Sequence, residues 1–425
     1  MDAPIADAGL LGSITELDCK LVELGRGLRL LAHLSWPARS QEEFLVRWRR
    51  GERVLPQISY QVTDYSEQDK GLAALELRAA ALGTHPLVEY LRRTAQCLRL
   101  EIDLLHGIGT ARVTDRSIEL FGRPGDELPG SSQTNIDAAR HFIAVAEEFG
   151  PEIRQTEEVL QISAADMRDQ LQREVDGFFV DDPVRVELDP ELLAKAAAGP
   201  TRIRLRESAT FDQYDREQLL QHEAFVHTLT SINGRMQPHL PSLGMATPRI
   251  TATQEGLATF AELMTGAIDL KRMKRISLRI LAIDKALHGA DFLDVFEFFL
   301  EAGQDQGESF ISAQRVFRGV PLTGGEAFTK DAVYLHGLLS VHTFFRWAMK
   351  NGRFNLCRAL FAGKMNLHDA IALEPWFESG WIKGPRYLPV WVQRSGGLAG
   401  RLAFSLMANR IALDKVVVED LVLAL

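Results

Sequence analysis

The sequence predicts a predominantly α-helical α+β protein with a small β-sheet, and three observations favour this class. Apolar residues recur at three- and four-residue steps over most of the chain, as in amphipathic helices. Alternation of apolar and polar residues, which is typical of half-buried strands, is confined to residues 184–188 and 202–206. With 46% hydrophobic and 25% charged residues, the composition is that of a soluble, folded protein.

The N-terminal part of the chain is predicted to be helical. Leucines recur at three- and four-residue steps over residues 13–36, while charged residues occupy the other positions. Similar patterns cover residues 40–50, 70–83 and 86–107. The apolar face of each helix indicates a packed core, and no residue in this part has a pattern typical of a reactive site.

Two domains, or one large domain with an appendage, are expected from the length of the chain. At 425 residues it exceeds the size at which a single core usually stops growing. Glycines and prolines are concentrated between Gly107 and Pro129, which predicts turns and a domain junction there. We therefore predict an N-terminal helical region over residues 1–112 and a second domain over residues 113–425.

The second domain is predicted to combine a short β region with further helices. The runs Val184 to Leu188 and Arg202 to Arg206 are the best strand candidates, with a short helix between them near residues 190–198. The run that ends at Phe211 is expected to lead into a helix and to provide a sheet edge beside it. Helices are predicted over residues 134–149, 152–176, 213–232, 254–268, 270–288, 291–303 and 329–350.

Composition and charge exclude several classes of function. The net charge is −9 and the basic residues are dispersed, so no nucleic-acid partner is expected. Cys19, Cys97 and Cys357 show no metal-binding spacing and indicate a reducing, cytoplasmic location. The first residues lack the pattern of a secretory signal. Charged residues interrupt the apolar stretch over 396–425, which predicts one or two packing helices and no membrane span.

One short run has the composition of a metal site. His222, Glu223 and His227 form a His-Glu-x-x-x-His sequence on a predicted helix, which offers two imidazole ligands and a neighbouring carboxylate. Catalytic zinc sites commonly use three protein ligands, and a carboxylate beside them acts as a general base. The sequence therefore predicts Zn²⁺ on His222 and His227 with Glu223 as the catalytic base. A chance match on a core helix is the competing interpretation.

The spacing of the two histidines requires an unusual helix. Zinc-binding helices commonly separate their histidines by four residues, which places both on one face, whereas His222 and His227 are five apart. On a regular α-helix their side chains would diverge by roughly 140°. A π-helical turn, with its i→i+5 hydrogen bond, returns both to one side. We therefore predict a π-bulge between His222 and His227.

A third ligand must come from a later element, because one helix face cannot surround a metal. Glu255 is the preferred candidate. Thr253 is predicted to cap its helix, and the small Gly256 and Ala258 are expected to let that helix approach the metal helix closely. A first-turn acid stabilised by the helix dipole is the alternative role for Glu255. His239 and Glu262 are rival third ligands.

The run from Gln254 to Ala258, read Gln-Glu-Gly-Leu-Ala, and the upstream His-Glu-x-x-x-His sequence together resemble the QEGLA-motif family. Bacterial members of that family are described as flavohaemoglobin expression-modulating proteins, and its eukaryotic relatives include the microtubule-associated tyrosine carboxypeptidases. The resemblance continues in the runs Arg315 to Gly319 and Phe328 to Leu335, and it covers about residues 115–425.

The resemblance implies a zincin-like catalytic domain with zinc on His222, His227 and Glu255, and with Glu223 as the catalytic residue. It also implies peptide hydrolysis near a C-terminus, so the expected substrate is a peptide or protein tail, with an aromatic residue such as tyrosine as a candidate for the residue removed. The His-Glu-x-x-x-His sequence also occurs in a dipeptidyl-peptidase branch of the gluzincins, which favours a metallopeptidase without indicating a substrate. Specificity for tubulin is not transferred, since nothing in this sequence identifies such a partner.

Hydrolysis at a C-terminus needs two further groups. A donor must stabilise the oxyanion of the tetrahedral intermediate, and Tyr334 is the candidate, with a buried structural tyrosine as the alternative. A cation must hold the terminal carboxylate, and one of Arg315, Arg318 and Lys330 is expected to do so. Each of these cations is also compatible with a surface charge or a structural ion pair.

Two further interpretations concern His336 and His342 and a competing function for the protein. His336 and His342 lie on an apolar helical pattern and are expected to be core or lining residues, not metal ligands. A zincin-like protein that is catalytically silent and acts as a regulator through protein contacts is the competing function. The oligomeric state has no signal in the sequence.

Overall fold

The computed structural model describes residues 8–37, 39–156, 160–192 and 194–408, and most of them are helical. The α-helices are α1 (Ala8–Gly25), α2 (Leu30–His33), α3 (Arg39–Arg49), α4 (Ser66–Ala80), α5 (Pro86–His106), α6 (Arg112–Phe121), α7 (Asn135–Thr156), α8 (Ala164–Phe178), α9 (Gln213–Leu219), α10 (Leu229–Arg235), α11 (Thr251–Thr265), α12 (Leu270–Leu287), α13 (Phe292–Glu301), α14 (Gln306–Val316), α15 (Val333–Lys350), α16 (Asn355–Ala359), α17 (Leu367–Ala372), α18 (Glu374–Glu378), α19 (Val390–Gln393) and α20 (Ser395–Ala408). The strands are β1 (Ile162–Ser163), β2 (Arg185–Asp189), β3 (Ala196–Ala198), β4 (Arg202–Arg206) and β5 (Thr210–Phe211).

A three-stranded sheet precedes the longest helical part of the chain. Its strand order is β2-β4-β3, with β2 parallel and β3 antiparallel to β4. On β4, the buried Ile203 and Leu205 alternate with arginines, as the sequence pattern predicts. β1 and β5 form a separate antiparallel pair. The two predicted strands are confirmed, and so is the mainly helical α+β class.

Two predictions about this sheet are wrong. Residues near 190–198 do not form a helix throughout, because Ala196–Ala198 is strand β3. Alanine favours helices in isolation, but here pairing with β4 decides the conformation. The strand over 202–206 is central instead of forming the edge, and β3 is the edge strand. Just beyond β3, the carbonyl of Gly199 accepts a hydrogen bond from Thr228 Oγ1 at 3.0 Å, which ties this edge to the following helix.

A long helix with a π-helical centre follows β5. Asp212 and Asp215 form a capping box that begins α9. A π-helix over Leu220–Thr228 continues α9 and passes directly into α10. The predicted π-bulge between His222 and His227 is confirmed.

Several predicted helix boundaries differ from the observed ones. Residues 13–36 form α1 and α2 instead of one helix, and Gly27 between them has a φ of 95°, a left-handed conformation that glycine adopts at little cost. α7 runs to Thr156, past its predicted end at residue 149.

The segment predicted to be a turn-rich junction contains α6. Two of the buried residues of α6 are polar, Thr114 and Ser117, so apolar spacing could not reveal this helix. Their hydroxyl oxygens accept hydrogen bonds from the backbone N–H groups of Ala327 and Thr329, at 3.1 and 3.2 Å. α6 therefore supports a segment that leads to the functional site.

Buried apolar residues of the N-terminal helices belong to the same continuous core as those of the later helices. For example, the ring centroid of Trp36 lies 5.5 Å from that of Phe292. Asp18 of α1 accepts a hydrogen bond from the backbone N–H of Ser242 at 2.9 Å. The division at residues 112 and 113 stays a prediction.

The C-terminal apolar stretch begins as a helix, as predicted, in α20; residues 409–425 lie outside the described part. Within the ranges described above, none of the helices has both the length and the apolar character needed to span a bilayer. Cys19, Cys97 and Cys357 are free thiols.

Candidate metal centre

Two imidazoles and one carboxylate converge beside the π-helix. Nε2 of His222 lies 3.4 Å from Glu255 Oε2, and Nε2 of His227 lies 3.6 Å from the same oxygen. One ligand atom from each of the three residues lies within 4.8 Å of the other two. In the part of the chain that the structure describes, this is the group of His, Cys, Asp and Glu side chains that could hold a metal ion.

The π-helix accounts for this convergence. His222 and His227 are five residues apart, and the wider π turn brings their side chains to the same side. The two rings lie with centroids 4.7 Å apart and planes at 85°. His222 is buried, while the side chain of His227 is 16% exposed, so His227 is the more accessible of the two imidazoles.

The carboxylate of Glu255 has one satisfied and one unsatisfied oxygen. Oε1 accepts a hydrogen bond from Lys330 Nζ at 2.6 Å, whereas Oε2 is buried and has no hydrogen-bond partner. Oε2 is also the oxygen that faces both Nε2 atoms. A buried, unsatisfied carboxylate oxygen is costly, and a cation held between Oε2 and the two imidazoles removes that cost. The residues present therefore fit a zinc ion, for which two imidazoles and a carboxylate are an established donor set.

Glu262, a rival third ligand in the sequence, lies on the opposite edge of the His222 ring. Its Oε1 is 2.7 Å from Nδ1 of His222. Arg272 donates two hydrogen bonds to Glu262, at 3.0 and 2.9 Å. This pair fixes the ring orientation and leaves Nε2 pointing toward Glu255.

The other histidines considered lie outside this group. His239 stacks on Trp381, with ring centroids 4.8 Å apart and planes at 13°. His336 and His342 lie on α15, and neither joins the group of His222, His227 and Glu255.

Burial and charged neighbours have opposite effects on the pKa values of His222 and Glu255. Burial lowers the pKa of His222, but its contacts with the carboxylates of Glu255 and Glu262 outweigh burial and raise the pKa to about 10. Burial opposes ionisation of Glu255, yet Lys330 and the two imidazoles hold the pKa of Glu255 well below its ordinary value. Without a cation the group therefore keeps a proton on His222, and a metal must displace that proton to bind.

Glu223 is half-buried on the π-helix, next to His222. Burial lowers the pKa of Lys364 to about 8, against the opposing influence of Glu255 and Glu223. Lys364 therefore lies close enough to Glu255 and Glu223 for their charges to influence its pKa. No pattern in the sequence indicated this proximity.

The predicted oxyanion donor and two of the predicted substrate cations meet in one network. The hydroxyl of Tyr334 lies 3.1 Å from Lys330 Nζ and 3.5 Å from a guanidinium nitrogen of Arg315. Arg315 donates two hydrogen bonds to Asp331, at 2.5 and 2.7 Å. Lys330 is engaged with Glu255, so both cations already have a carboxylate partner. Arg318 is buried nearby, where Asp331 and Tyr334 influence its charge.

Arginines of α12 were missed in the sequence. Arg272 contacts Glu262 as described above, and Nε of Arg279 lies 3.7 Å from Asp331 Oδ2. The guanidinium of Arg279 lies 6.0 Å from the ring centroid of Tyr334. Arg272, Arg275 and Arg279 are spaced by three and four residues, which places them on one helix face. That spacing is the signal that could have identified them.

Two predictions about α11 are wrong. Its first residue is Thr251, which follows the 3₁₀ turn Pro248–Ile250 directly, so Thr253 is inside the helix and does not cap it. Gly256 allows a close approach to α15 instead of the metal helix, because a Cβ at Gly256 would overlap the backbone of Gly337.

A family model described as microtubule-associated tyrosine carboxypeptidase matches residues 42–410. The chain belongs to the microtubule-associated tyrosine carboxypeptidase family. The relationship to this family that the resemblance implied is confirmed, and the narrower QEGLA-motif grouping stays a prediction. The matched range contains the π-helix, α11, α12 and the residues around Tyr334.

No curated protein matches the chain. Among solved structures, the chain is similar to metallocarboxypeptidase 1 of Trypanosoma cruzi, at 14% sequence identity and a TM-score of 0.41, with 95% of this chain and 99% of that chain covered.

Proposed function

We propose that this protein is a zinc-dependent carboxypeptidase that removes the last residue of a peptide or protein tail. The observation that carries the proposal is the convergence of His222, His227 and Glu255 around a buried, unsatisfied oxygen. Membership of a family named for tyrosine carboxypeptidases supports exopeptidase activity, and tyrosine is one candidate for the residue removed.

His222, His227 and Glu255 would hold the zinc ion. When bound, zinc supplies the Lewis acidity that makes water nucleophilic and polarises a peptide carbonyl near neutral pH. Glu262 engages Nδ1 of His222 and so reserves Nε2 for the metal. Lys330 fixes Glu255 through Oε1 and leaves Oε2 for the metal.

Glu223 is the proposed general base. It follows His222 on the π-helix and is half-buried, and its charge influences His222 and Lys364. In hydrolysis a carboxylate oxygen of Glu223 takes a proton from the attacking water and then delivers it to the leaving amine nitrogen.

Tyr334 is the proposed donor to the oxyanion. Its hydroxyl oxygen accepts a hydrogen bond from Lys330 Nζ, so its own O–H remains available to donate. Lys330 also donates a hydrogen bond to Glu255, so one ammonium group links this hydroxyl to a proposed metal ligand. A donor in that position stabilises the charge that develops on the carbonyl oxygen. Arg315, Arg318 and Lys330 remain the sequence-derived candidates for binding the terminal carboxylate.

Replacement of Glu223 by Gln tests the enzyme directly. We expect Glu223→Gln to lower kcat/KM on free-acid peptides by on the order of 100- to 10,000-fold, because the amide cannot accept the proton. Zinc content should be unchanged, since Glu223 is not a ligand. Glu207→Gln is the matched control, because Glu207 is an exposed carboxylate. The measurement is hydrolysis of peptides that differ in their last residue, together with metal analysis.

Two outcomes contradict the proposal. Equal turnover by Glu223→Gln and the wild type removes Glu223 from the reaction. Bound zinc without hydrolysis of any peptide favours the catalytically silent regulator instead.

A further inference from the structure

Two buried guanidinium groups near Tyr334 lack full partners. Arg318 is 8% exposed, and its Nε has no hydrogen-bond partner. The side chain of Arg279 is 12% exposed, and its Nε also lacks a hydrogen-bond partner, with Asp331 Oδ2 at 3.7 Å. Burial and the neighbouring Arg315 lower the pKa of Arg279 to about 9 and that of Arg318 to about 10. Such groups are costly to bury unless an anion joins them.

The charges around Tyr334 do not balance among the described residues. Asp331 is engaged by two hydrogen bonds from Arg315, and Oε1 of Glu255 is engaged by Lys330. This leaves two buried positive charges without a carboxylate of their own. Four cations therefore face two carboxylates here: Arg279, Arg315, Arg318 and Lys330 against Asp331 and Glu255.

Tyr334 and Lys330 connect this cluster to the metal centre. Lys330 Nζ is 2.6 Å from Glu255 Oε1 and 3.1 Å from the Tyr334 hydroxyl. One residue of extended peptide spans roughly 3.3–3.6 Å. A terminal carboxylate that reaches the surroundings of Tyr334 would therefore belong to a peptide whose last amide bond lies close to the metal ligands.

We infer that Arg279 and Arg318 bind the α-carboxylate of the last residue of the substrate. This inference rests on the proposed function. Two guanidinium groups offer planar, charged donors that match a carboxylate, and the ligand supplies the missing negative charge. Arg315 is then a positioning residue, held by Asp331. The enzyme consequently cleaves only the last peptide bond, and peptides with an amidated C-terminus are poor substrates.

The first test measures binding without turnover. The purified protein is titrated calorimetrically with N-acetyl-phenylalanine and with N-acetyl-phenylalanine amide. We expect the acid to bind at least about 10-fold more tightly than the amide, because charge-assisted hydrogen bonds are lost with the amide. Arg279→Gln and Arg318→Gln should each abolish this discrimination. Arg358→Gln is the control, because Arg358 is an exposed arginine on α16.

The second test measures cleavage of a free-acid peptide and its C-terminal amide. The two variants should raise KM for the acid about 10- to 100-fold and so reduce the difference in kcat/KM between the acid and the amide. Melting curves establish that each variant is folded. Arg318→Lys keeps the positive charge but loses the planar guanidinium group with its paired N–H donors. It should therefore retain part of the discrimination between acid and amide.

The outcomes separate this inference from the proposed function. Equal binding of acid and amide by the wild type, or unchanged discrimination in both Gln variants, overturns the inference. Cleavage of amidated and free-acid peptides at equal rates also overturns it, while the hydrolase stands. If the wild type binds the acid selectively and both Gln variants lose this selectivity, the result supports carboxylate binding by Arg279 and Arg318. This holds even if no peptide is cleaved and the proposed function fails.

Discussion

Glu255 and Glu262 contact opposite edges of the same imidazole. They lie two turns apart on α11, so their side chains point to one side of the helix. Glu262 meets Nδ1 of His222 at 2.7 Å and is neutralised by Arg272, whereas Glu255 faces Nε2 with an oxygen that has no partner. The two carboxylates therefore have different roles: Glu262 orients the ring, and Glu255 completes the proposed ligand set.

Loss of the Glu262 carboxylate should weaken metal binding without abolishing it. Glu262→Gln removes the charged acceptor from Nδ1 of His222, and we expect zinc affinity to fall by about 10- to 100-fold. Competition with a chelator of known affinity measures the effect. Glu301→Gln, at an exposed position on α13, should leave the affinity at the wild-type value. Unchanged affinity in Glu262→Gln would remove its orienting role.

At the scale of elements, the crossing of α11 and α15 sets the geometry of the site. Gly256 and Gly337 face each other at the crossing, and neither position has room for a Cβ. α11 carries Glu255 and α15 carries Tyr334, while Lys330 just before α15 bridges them. The close backbone contact therefore holds the proposed ligand and the proposed oxyanion donor at a fixed separation.

Gly256→Ala should disturb this crossing. The added methyl group overlaps the backbone of Gly337, and overpacking of this kind costs about 1–3 kcal/mol of unfolding free energy. Gly177→Ala is the matched control, because Gly177 is also helical and nothing lies near its Cβ position. There, alanine should stabilise the protein by roughly 0.5–1 kcal/mol. Urea denaturation measures both, and equal effects would contradict the crossing as described.

The elements also show which features a single sequence can predict. The π-helix was predictable, because two histidines five residues apart have few ways to share a face. α6 was not, because its buried Thr114 and Ser117 satisfy distant backbone groups instead of following an apolar pattern. β3 was missed because pairing with β4 overrides the helix preference of alanine. The missing hydrogen bond at Arg279 Nε was not predictable either, because Asp331, which lies 3.7 Å away, is engaged by Arg315 from another segment, and spacing alone does not encode such contacts.

At the scale of the whole molecule, two buried carboxylates hold the N-terminal helices in place. Asp18 of α1 accepts hydrogen bonds from the backbone and the hydroxyl of Ser242. Glu101 of α5 accepts one from the backbone N–H of Leu30, which begins α2. Burial raises the pKa of both Asp18 and Glu101 to about 7, although these hydrogen bonds act in the opposite direction.

These pKa shifts predict a pH-dependent stability. A carboxyl whose folded pKa exceeds its unfolded pKa binds more protons in the folded state, so its contribution is complete below about pH 4 and is lost as the pH rises to about 7. The difference in unfolding free energy between the wild type and Asp18→Asn should therefore fall by roughly 2–4 kcal/mol over that range. Denaturation at several pH values measures it. The exposed Asp115→Asn is the control, and a difference that does not change with pH would contradict the shift.

The central claim is that His222, His227 and Glu255 together hold zinc, and anomalous diffraction at the zinc absorption edge tests it most directly. In crystals grown with zinc, we expect one strong anomalous peak about 2.0–2.2 Å from Nε2 of each histidine and from an oxygen of Glu255. A peak elsewhere, or no peak between these three side chains, would contradict the account.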